Sequence, residues 1–152
     1  MATLLLTHEA CLGHDTAAGH PERPARLQAV LTALSGPAFD ALHRREAPEA
    51  TVEELARVHG TAHVAAVLDA MPREGYVRFD ADTIASPGSR AAALRAAGAV
   101  RAAVDAVLAG ETTNAFCAVR PPGHHAEPDR AMGFCFFNSI AVGALHALTV
   151  HR

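Results

Sequence analysis

The chain has 152 residues, of which 50% are hydrophobic and 19% charged, and its formal net charge is −3 at pH 7. This length suits one domain with a buried core and is too short for two, and the weak negative charge argues against a nucleic-acid-binding surface. Three cysteines without a C-x-x-C pair predict no disulfide framework, and with no secretion signal or long apolar span we expect a cytoplasmic protein without a membrane partner.

The N-terminal segment predicts a strand followed by a polar loop. Thr3–Thr7 is a short apolar run with β-branched ends, which is typical of a buried strand. The following loop contains a histidine every six residues, at His8, His14 and His20. Because no helix or strand brings residues at that spacing onto one face, we favour a loop over a metal site.

A helix, a short strand and a second helix are predicted next. Pro21–Leu34 carries apolar residues at helical spacing and is followed by a Gly-Pro pair that ends the helix. Residues 42–47 are a candidate edge strand. Thr51 has the character of an N-cap, with two glutamates in the first turn behind it.

Two histidines in the next segment have a spacing that metal ligands also use. His59 and His63 stand four residues apart, which places side chains on one face of a helix. Gly60 lies between them, and Thr61 is a candidate cap. We therefore favour a new helix beginning between the two histidines over a pair of ligands.

The longest predicted helix follows a loop at Gly75–Ser89. It should open at Ser86, with Pro87 in the first helical position, and close at Gly110. Its expected buried stripe consists of Leu94, Ala97, Val100, Val104, Val107 and Leu108.

The chemistry-bearing stretch is residues 120–139, RPPGHHAEPDRAMGFCFFNS, which follows a predicted strand at Ala115–Val119. Two prolines prevent a helix, and the glycine allows a sharp turn. His124 and His125 should then lie on a loop at the carboxyl end of a strand, where α/β sheets bind ligands. Adjacent imidazoles can divide the work of base and acid. The alternative is a polar surface loop, but the rigid turn and the aromatic run after it favour the wall of a pocket.

The last predicted element is a helix capped by Asn138 or Ser139 and running through Leu148. It is apolar on nearly every side. A helix without a polar face is expected to be covered all round.

Four segments together resemble one known family. RPPGHHA and GFCFFN, preceded by GHDTAAGHPERPARL and DADTIASPGS, are similar in order and spacing to the histone deacetylase superfamily, including its bacterial class II-like members, the acetoin-utilisation proteins and the acetylpolyamine amidohydrolases. The resemblance covers essentially the whole chain. It implies an α/β fold of the arginase/deacetylase type, a parallel sheet with helices on both faces, here with only its first strands.

The resemblance also implies an activity and roles for individual residues. The activity is zinc-dependent hydrolysis of the amide bond in acetyl-lysine or an acetylated polyamine. His124 would hydrogen-bond the zinc-bound water, and His125 would share the base role and protonate the leaving amine. The implied substrate contacts are Arg26 at the inner end of the channel, Asp82 on the rim, Gly133 through its carbonyl, Phe134 as a channel wall and Cys135 on the floor. The alternative for Asp82, as for Asp80, is an ordinary turn aspartate.

The family's metal-binding motif does not occur in the sequence. Its zinc ligands are the Asp and His of a D-x-H motif and a later Asp, and a downstream tyrosine stabilises the oxyanion. The chain contains no D-x-H, and its single tyrosine, Tyr76, lies in a different segment. We therefore expect no metal ligand here and zinc ligands downstream of Arg152. On this reading residues 1–152 are the N-terminal portion of a single deacetylase domain, truncated before the metal motif and inactive alone.

The alternative is a non-catalytic remnant or interaction module that retains the first half of the fold. Under either interpretation, the uncovered sheet edge would allow the chain to self-associate.

Overall fold

The computed structural model describes residues 3–150, which form a mixture of short strands and longer helices. In chain order the elements are β1 (Leu4–Thr7), α1 (Pro24–Leu34), β2 (His43–Glu46), α2 (Val52–Ala56), α3 (Thr61–Asp69), β3 (Val77–Arg78), β4 (Ile84–Ala85), α4 (Ser89–Leu108), β5 (Ala115–Cys117) and α5 (Ser139–Val150), with 3-10 turns at Glu9–Gly13 and Pro37–Phe39. Within this part of the chain no helix is both long and apolar enough to cross a bilayer.

The centre of the fold is a parallel sheet in the order β2-β1-β5. Leu4 of β1 lies opposite His43 of β2 and Ala115 of β5, and both pairings are parallel. Successive side chains of a strand point to opposite faces, so β1 serves two cores. Leu5 packs with Leu27 of α1, whereas Leu4 and Leu6 pack with alanines of α4. The predicted α/β fold with helices on both faces is confirmed.

Helix α4 packs against the sheet through alanines and not through the predicted valines. Ala99, Ala102 and Ala106 are buried against β1, and small side chains let the helix approach the sheet closely. Val100, Val104 and Val107 are only partly buried, and Leu108 is 54% exposed. Leu94 and Ala97 of the predicted stripe are buried, whereas the prediction is wrong for the residues from Val100 onward, which border an apolar groove.

Several element boundaries differ from the predictions. Helix α4 begins at Ser89 instead of Ser86, because the Ser89 hydroxyl accepts a hydrogen bond from the Ser86 backbone N–H (2.8 Å) and holds residues 86–88 in a turn. Gly60, not Thr61, is the N-cap of α3, although the helix does begin between the two histidines. The loop predicted at Gly75–Ser89 contains a small antiparallel hairpin, β3–β4.

The helix ends at Thr51 and Gly110 follow the predictions. Thr51 forms a full capping box with Glu54: the Thr51 hydroxyl accepts from the Glu54 N–H, and the Glu54 carboxylate accepts from the Thr51 N–H. Gly110 follows α4 with φ +74°, the left-handed conformation common just after a helix C-terminus.

Candidate active site

A cleft of about 350 Å³ lies beside the loop that follows β5. Six of the seven site residues predicted from the sequence line it: Arg26, Asp82, His124, His125, Gly133 and Phe134, together with Glu22 and Pro122. The seventh, Cys135, does not line the cleft: it is fully buried, with its thiol 3.2 Å from the Gly133 carbonyl oxygen. A tight turn with two hydrogen bonds between Met132 and Cys135 points this side chain inward, and burial raises the pKa of the thiol.

The two adjacent histidines stand ring beside ring at the cleft. The centroids of His124 and His125 are 4.2 Å apart, with their planes inclined at 52°. Both residues are exposed and line the cleft, and within residues 3–150 no hydrogen bond to either imidazole is found. A pair of titratable rings beside an aromatic wall is suited to proton transfer.

Gly133 is required where it stands. Its φ is +58°, and a Cβ at this position would lie 2.8 Å from the Cβ of His125 and 2.9 Å from two of its ring carbons. The His125 ring therefore packs directly over the Gly133 backbone. Any larger residue would displace the imidazole.

Phe134 is held in an unusual backbone conformation. Its φ is +70°, which is uncommon for a residue with a side chain. Its backbone N–H donates to the hydroxyl of Thr83 (3.0 Å), and its ring makes a T-shaped contact with the His20 ring, with centroids 4.8 Å apart. The cleft wall is thus fixed by residues from two other segments.

Asp82 stands at the rim, and His20 connects it to the wall. The Asp82 carbonyl lies 2.9 Å from Nε2 of His20, which must donate because a carbonyl only accepts. Asp80 takes the turn role, since its carboxylate accepts from the backbone N–H groups of Asp82 (3.0 Å) and Thr83 (2.6 Å). The Asp82 carboxylate is left exposed at the rim.

A buried charge network lies under the cleft. Arg120 donates to both carboxylate oxygens of Glu22, at 2.8 and 2.7 Å, and to the carbonyl of Cys11 at 2.8 Å. Its side chain and that of Glu22 are each about 3% exposed. His14 completes the network, with Nε2 3.7 Å from Glu22 and Nδ1 2.6 Å from the Ser89 hydroxyl. Burial, and secondarily the positive Arg120, lowers the pKa of His14 to about 4.

Sequence reasoning missed the Glu22–Arg120 pair. The signal was an arginine placed between an apolar strand and a rigid turn, where a buried charge needs a partner. Arg26, by contrast, is exposed, and it borders both the cleft and an adjacent cavity of about 400 Å³.

The loop that carries the histidines is closed at its base. Gly123 lies so close to Phe137 and Ser139 that a Cβ would stand 2.6 Å from their backbone atoms. Asn138 donates from its side chain to the Ala126 carbonyl (3.1 Å) and accepts the Ala141 N–H (3.0 Å), which confirms it as the cap of α5. The Arg120–Pro121 peptide bond at the start of the loop is cis.

Within the described part of the chain, no group of three or more His, Cys, Asp or Glu side chains comes together as a metal site. The histidines of the first loop diverge: His8 accepts the Ala10 N–H, His14 is buried beside Ser89, and His20 binds Asp82. The rings of His59 and His63 do approach, at 5.1 Å, but both nitrogens of His59 are engaged by the backbone.

Residues 20–152 match the family described as "Histone deacetylase domain". The chain belongs to the histone deacetylase family. It is 44% identical over 136 residues to a histone deacetylase-like amidohydrolase of Pseudomonas aeruginosa, which covers 89% of this chain and 36% of the relative. It is 36% identical over 145 residues to a probable deacetylase of Archaeoglobus fulgidus, covering 93% of this chain and 40% of that one.

A solved structure agrees with these sequence matches. The crystal structure of the HDA15 HD domain superposes with a TM-score of 0.87 and 36% identity, over 97% of this chain and 44% of that chain. This histone deacetylase family chain therefore spans less than half the length of each of these relatives. The family resemblance predicted from four sequence segments is confirmed.

Proposed function

We propose that this cleft is the proton-transfer half of a deacetylase active site, which hydrolyses the acetyl amide of acetyl-lysine or an acetylated polyamine. The observation that carries the proposal is the adjacent pair of tilted rings, His124 and His125, beside Phe134 and Gly133 in the cleft. Family membership supports a deacetylase in general, and the acyl-amine substrate and the residue roles are proposed here.

In the proposed reaction, water adds to the acetyl carbonyl and the C–N bond breaks to give acetate and the free amine. His124 accepts a hydrogen bond from the attacking water. His125 takes a proton and delivers one to the leaving nitrogen, so that the amine departs neutral. Phe134 contacts the acyl chain, the Gly133 carbonyl accepts from the substrate N–H, and the Asp82 carboxylate binds the substrate backbone at the rim. Arg26 is assigned to the inner end of the channel and Cys135 to its floor.

Zinc dependence is part of the proposal, but the described residues do not fit a catalytic zinc. Such a site needs three protein ligands, and no group of three occurs within residues 3–150. We therefore assign zinc ligation to residues other than these. The chemistry that zinc would supply is the activation of water near neutral pH.

The test is a deacetylase domain that contains this chain and binds zinc, assayed on an acetyl-lysine peptide and on an acetylated polyamine. His125→Ala should lower kcat by about 10²–10⁴-fold with zinc content unchanged. His43→Ala is the matched control, because His43 is exposed on β2 and remote in sequence from the cleft residues. A near-normal rate for His125→Ala refutes the acid–base assignment. Residues 1–152 alone should hold no stoichiometric zinc, and one tightly held zinc per chain contradicts that expectation.

A second candidate, an interaction module, is favoured by one observation. Phe116 on β5 and Ile140 and Leu148 on α5 are large apolar side chains that are 49–63% exposed. Phe116 and Ile140 line an apolar groove of about 530 Å³ beside β5, and β5 pairs with one strand among those described. Sedimentation of residues 1–152 as a concentration-dependent oligomer, with no hydrolysis in any longer form, supports this candidate over the first.

A further inference from the structure

His59 is a buried histidine that does not line the cleft. It lies between α2 and α3 and is 2% exposed. Its Nδ1 is 2.9 Å from the Glu127 carbonyl oxygen and 3.2 Å from that of Pro128, and its Nε2 is 2.9 Å from the backbone nitrogen of Asn138. One ring thus bonds to both ends of the segment 127–138.

These partners determine the proton's position on the ring. The Asn138 N–H can only donate, so Nε2 must present its lone pair, and the carbonyl oxygens can only accept, so Nδ1 must carry the hydrogen. His59 is therefore neutral, in the Nδ1–H tautomer. Burial and the neighbouring His63 lower its pKa, which agrees with a neutral ring. If Nε2 carried the proton, two N–H donors, that of His59 and that of the Asn138 backbone, would face each other without an acceptor.

The segment that His59 holds contains the cleft wall. Gly133 and Phe134 lie inside it, and Asn138 ends it. The Asn138 side chain in turn binds the carbonyl of Ala126, the residue directly after His125. The Gly60 N–H adds a further bond to the Pro128 carbonyl (3.2 Å). A continuous chain of hydrogen bonds thus links the His59 ring to the base of the His124–His125 loop.

We propose that His59 is a positioning residue for this active site: its neutral Nδ1–H tautomer fixes the distance between the turn at 127–128 and the start of α5, and thereby the placement of Phe134 and His125. The part that concerns catalysis rests on the proposed function. The hydrogen bonds of His59 go to Glu127, Pro128 and Asn138 and to none of the residues that we assign to the substrate, so it acts through Asn138 and the 127–128 turn.

Two measurements on the 152-residue chain test the clamp without any catalysis. Two-bond ¹H–¹⁵N correlation spectra should show His59 protonated on Nδ1 and not on Nε2 at neutral pH. In hydrogen exchange, His59→Phe should raise the exchange rate of the Asn138 amide by roughly tenfold, since it removes that amide's acceptor. His59→Gln, whose side-chain oxygen can take the place of Nε2, should restore most of the protection.

The control is His63→Gln, which changes the adjacent ring, whose Nε2 has no partner within the described residues. It should leave the Asn138 amide unchanged. An Nε2–H tautomer, or equal exchange rates in wild type and His59→Phe, overturns the clamp. If His59→Phe does not fold, the clamp is tested by the wild-type tautomer and by the Asn138 exchange rates of His59→Gln and His59→Asn. The shorter Asn side chain has no acceptor at the position of Nε2, so only His59→Gln should protect the Asn138 amide.

The catalytic consequence has its own readout. In the zinc-binding domain, His59→Phe should lower kcat about tenfold with KM changed less than twofold, and His59→Gln should recover most of kcat. If the exchange results hold but wild type does not hydrolyse acetylated amines, the proposed function fails and the clamp stands. If wild type is active and His59→Phe retains both kcat and Asn138 protection, the clamp fails alone.

Discussion

Replacing Glu22 by Gln should destabilise the fold by about 3–5 kcal/mol, because it leaves the Arg120 guanidinium buried without its counter-charge. Arg120 makes two N–H···O bonds to the Glu22 carboxylate, and water reaches only about 3% of either side chain. The amide of Gln can accept one of these bonds but carries no charge. Since small domains are stable by about 5–15 kcal/mol, this single change should remove a large share of the total.

The assay is urea unfolding followed by far-ultraviolet circular dichroism. Glu111→Gln provides the control, because Glu111 binds Arg45 at a similar N–O distance (2.8 Å) while the two side chains are 54% and 49% exposed. That exposed pair should contribute less than about 1 kcal/mol. The two ion pairs have nearly equal N–O distances, so a difference in the cost of losing them reports the effect of burial.

A double-mutant cycle tests the same reasoning. Arg120→Met alone leaves the Glu22 carboxylate buried and unpaired, whereas Arg120→Met combined with Glu22→Gln leaves no buried charge from the pair. The double variant should therefore be at least about 2 kcal/mol more stable than the sum of the single changes predicts. Additive single effects, or a Glu22→Gln cost no larger than that of Glu111→Gln, would refute this account of the network.

Two further predictions concern His14 and Gly98. The pKa of His14 is lowered from 6.5 to about 4 on folding, so the unfolded chain binds the proton more tightly. The contribution of His14 to the free energy of unfolding is therefore complete above about pH 6.5 and falls by about 3 kcal/mol as the pH drops towards 4. In urea titrations across that range, His14→Gln should reduce the dependence of the unfolding free energy on pH. An unchanged dependence contradicts the assignment. Gly98→Ala should lower the melting temperature, although alanine favours a helix over glycine by about 1 kcal/mol. The new Cβ would stand 2.7 Å from the Ala50 backbone nitrogen and closer still to the Pro48 carbonyl oxygen. A variant that melts at a higher temperature would show that the helix can move away.

Local signals in the sequence predicted the elements that depend on neighbouring residues. The N-cap at Thr51 and the close of α4 at Gly110 were predicted, and the cap of α5 was predicted at Asn138 or Ser139; each is decided within about four positions. The predicted start of α4 was wrong because the Ser86 N–H donates to the Ser89 hydroxyl, and this bond competes with the helical conformation that Pro87 favours.

Long-range pairings were beyond sequence reasoning. Glu22 and Arg120 are 98 positions apart. The position of Arg120 indicates that it needs a partner, but nothing local identifies that partner as Glu22, in the loop before α1. The site residues were found for a different reason: the family resemblance supplied their roles, while the turn chemistry of residues 120–139 indicated that they lie on a loop beside a pocket.

The polar contacts between loops explain how a sheet of three short strands can hold a cleft in shape. His20 joins Asp82 to the wall, Thr83 holds Phe134, and His59 holds Asn138; each contact is a side chain bonded to the backbone of another segment. Such bonds fix distances more narrowly than apolar packing, since a hydrogen bond tolerates only a few tenths of an ångström. The placement of the two catalytic candidates therefore depends on polar residues outside the cleft, and a substitution among these residues should alter the site before it unfolds the core.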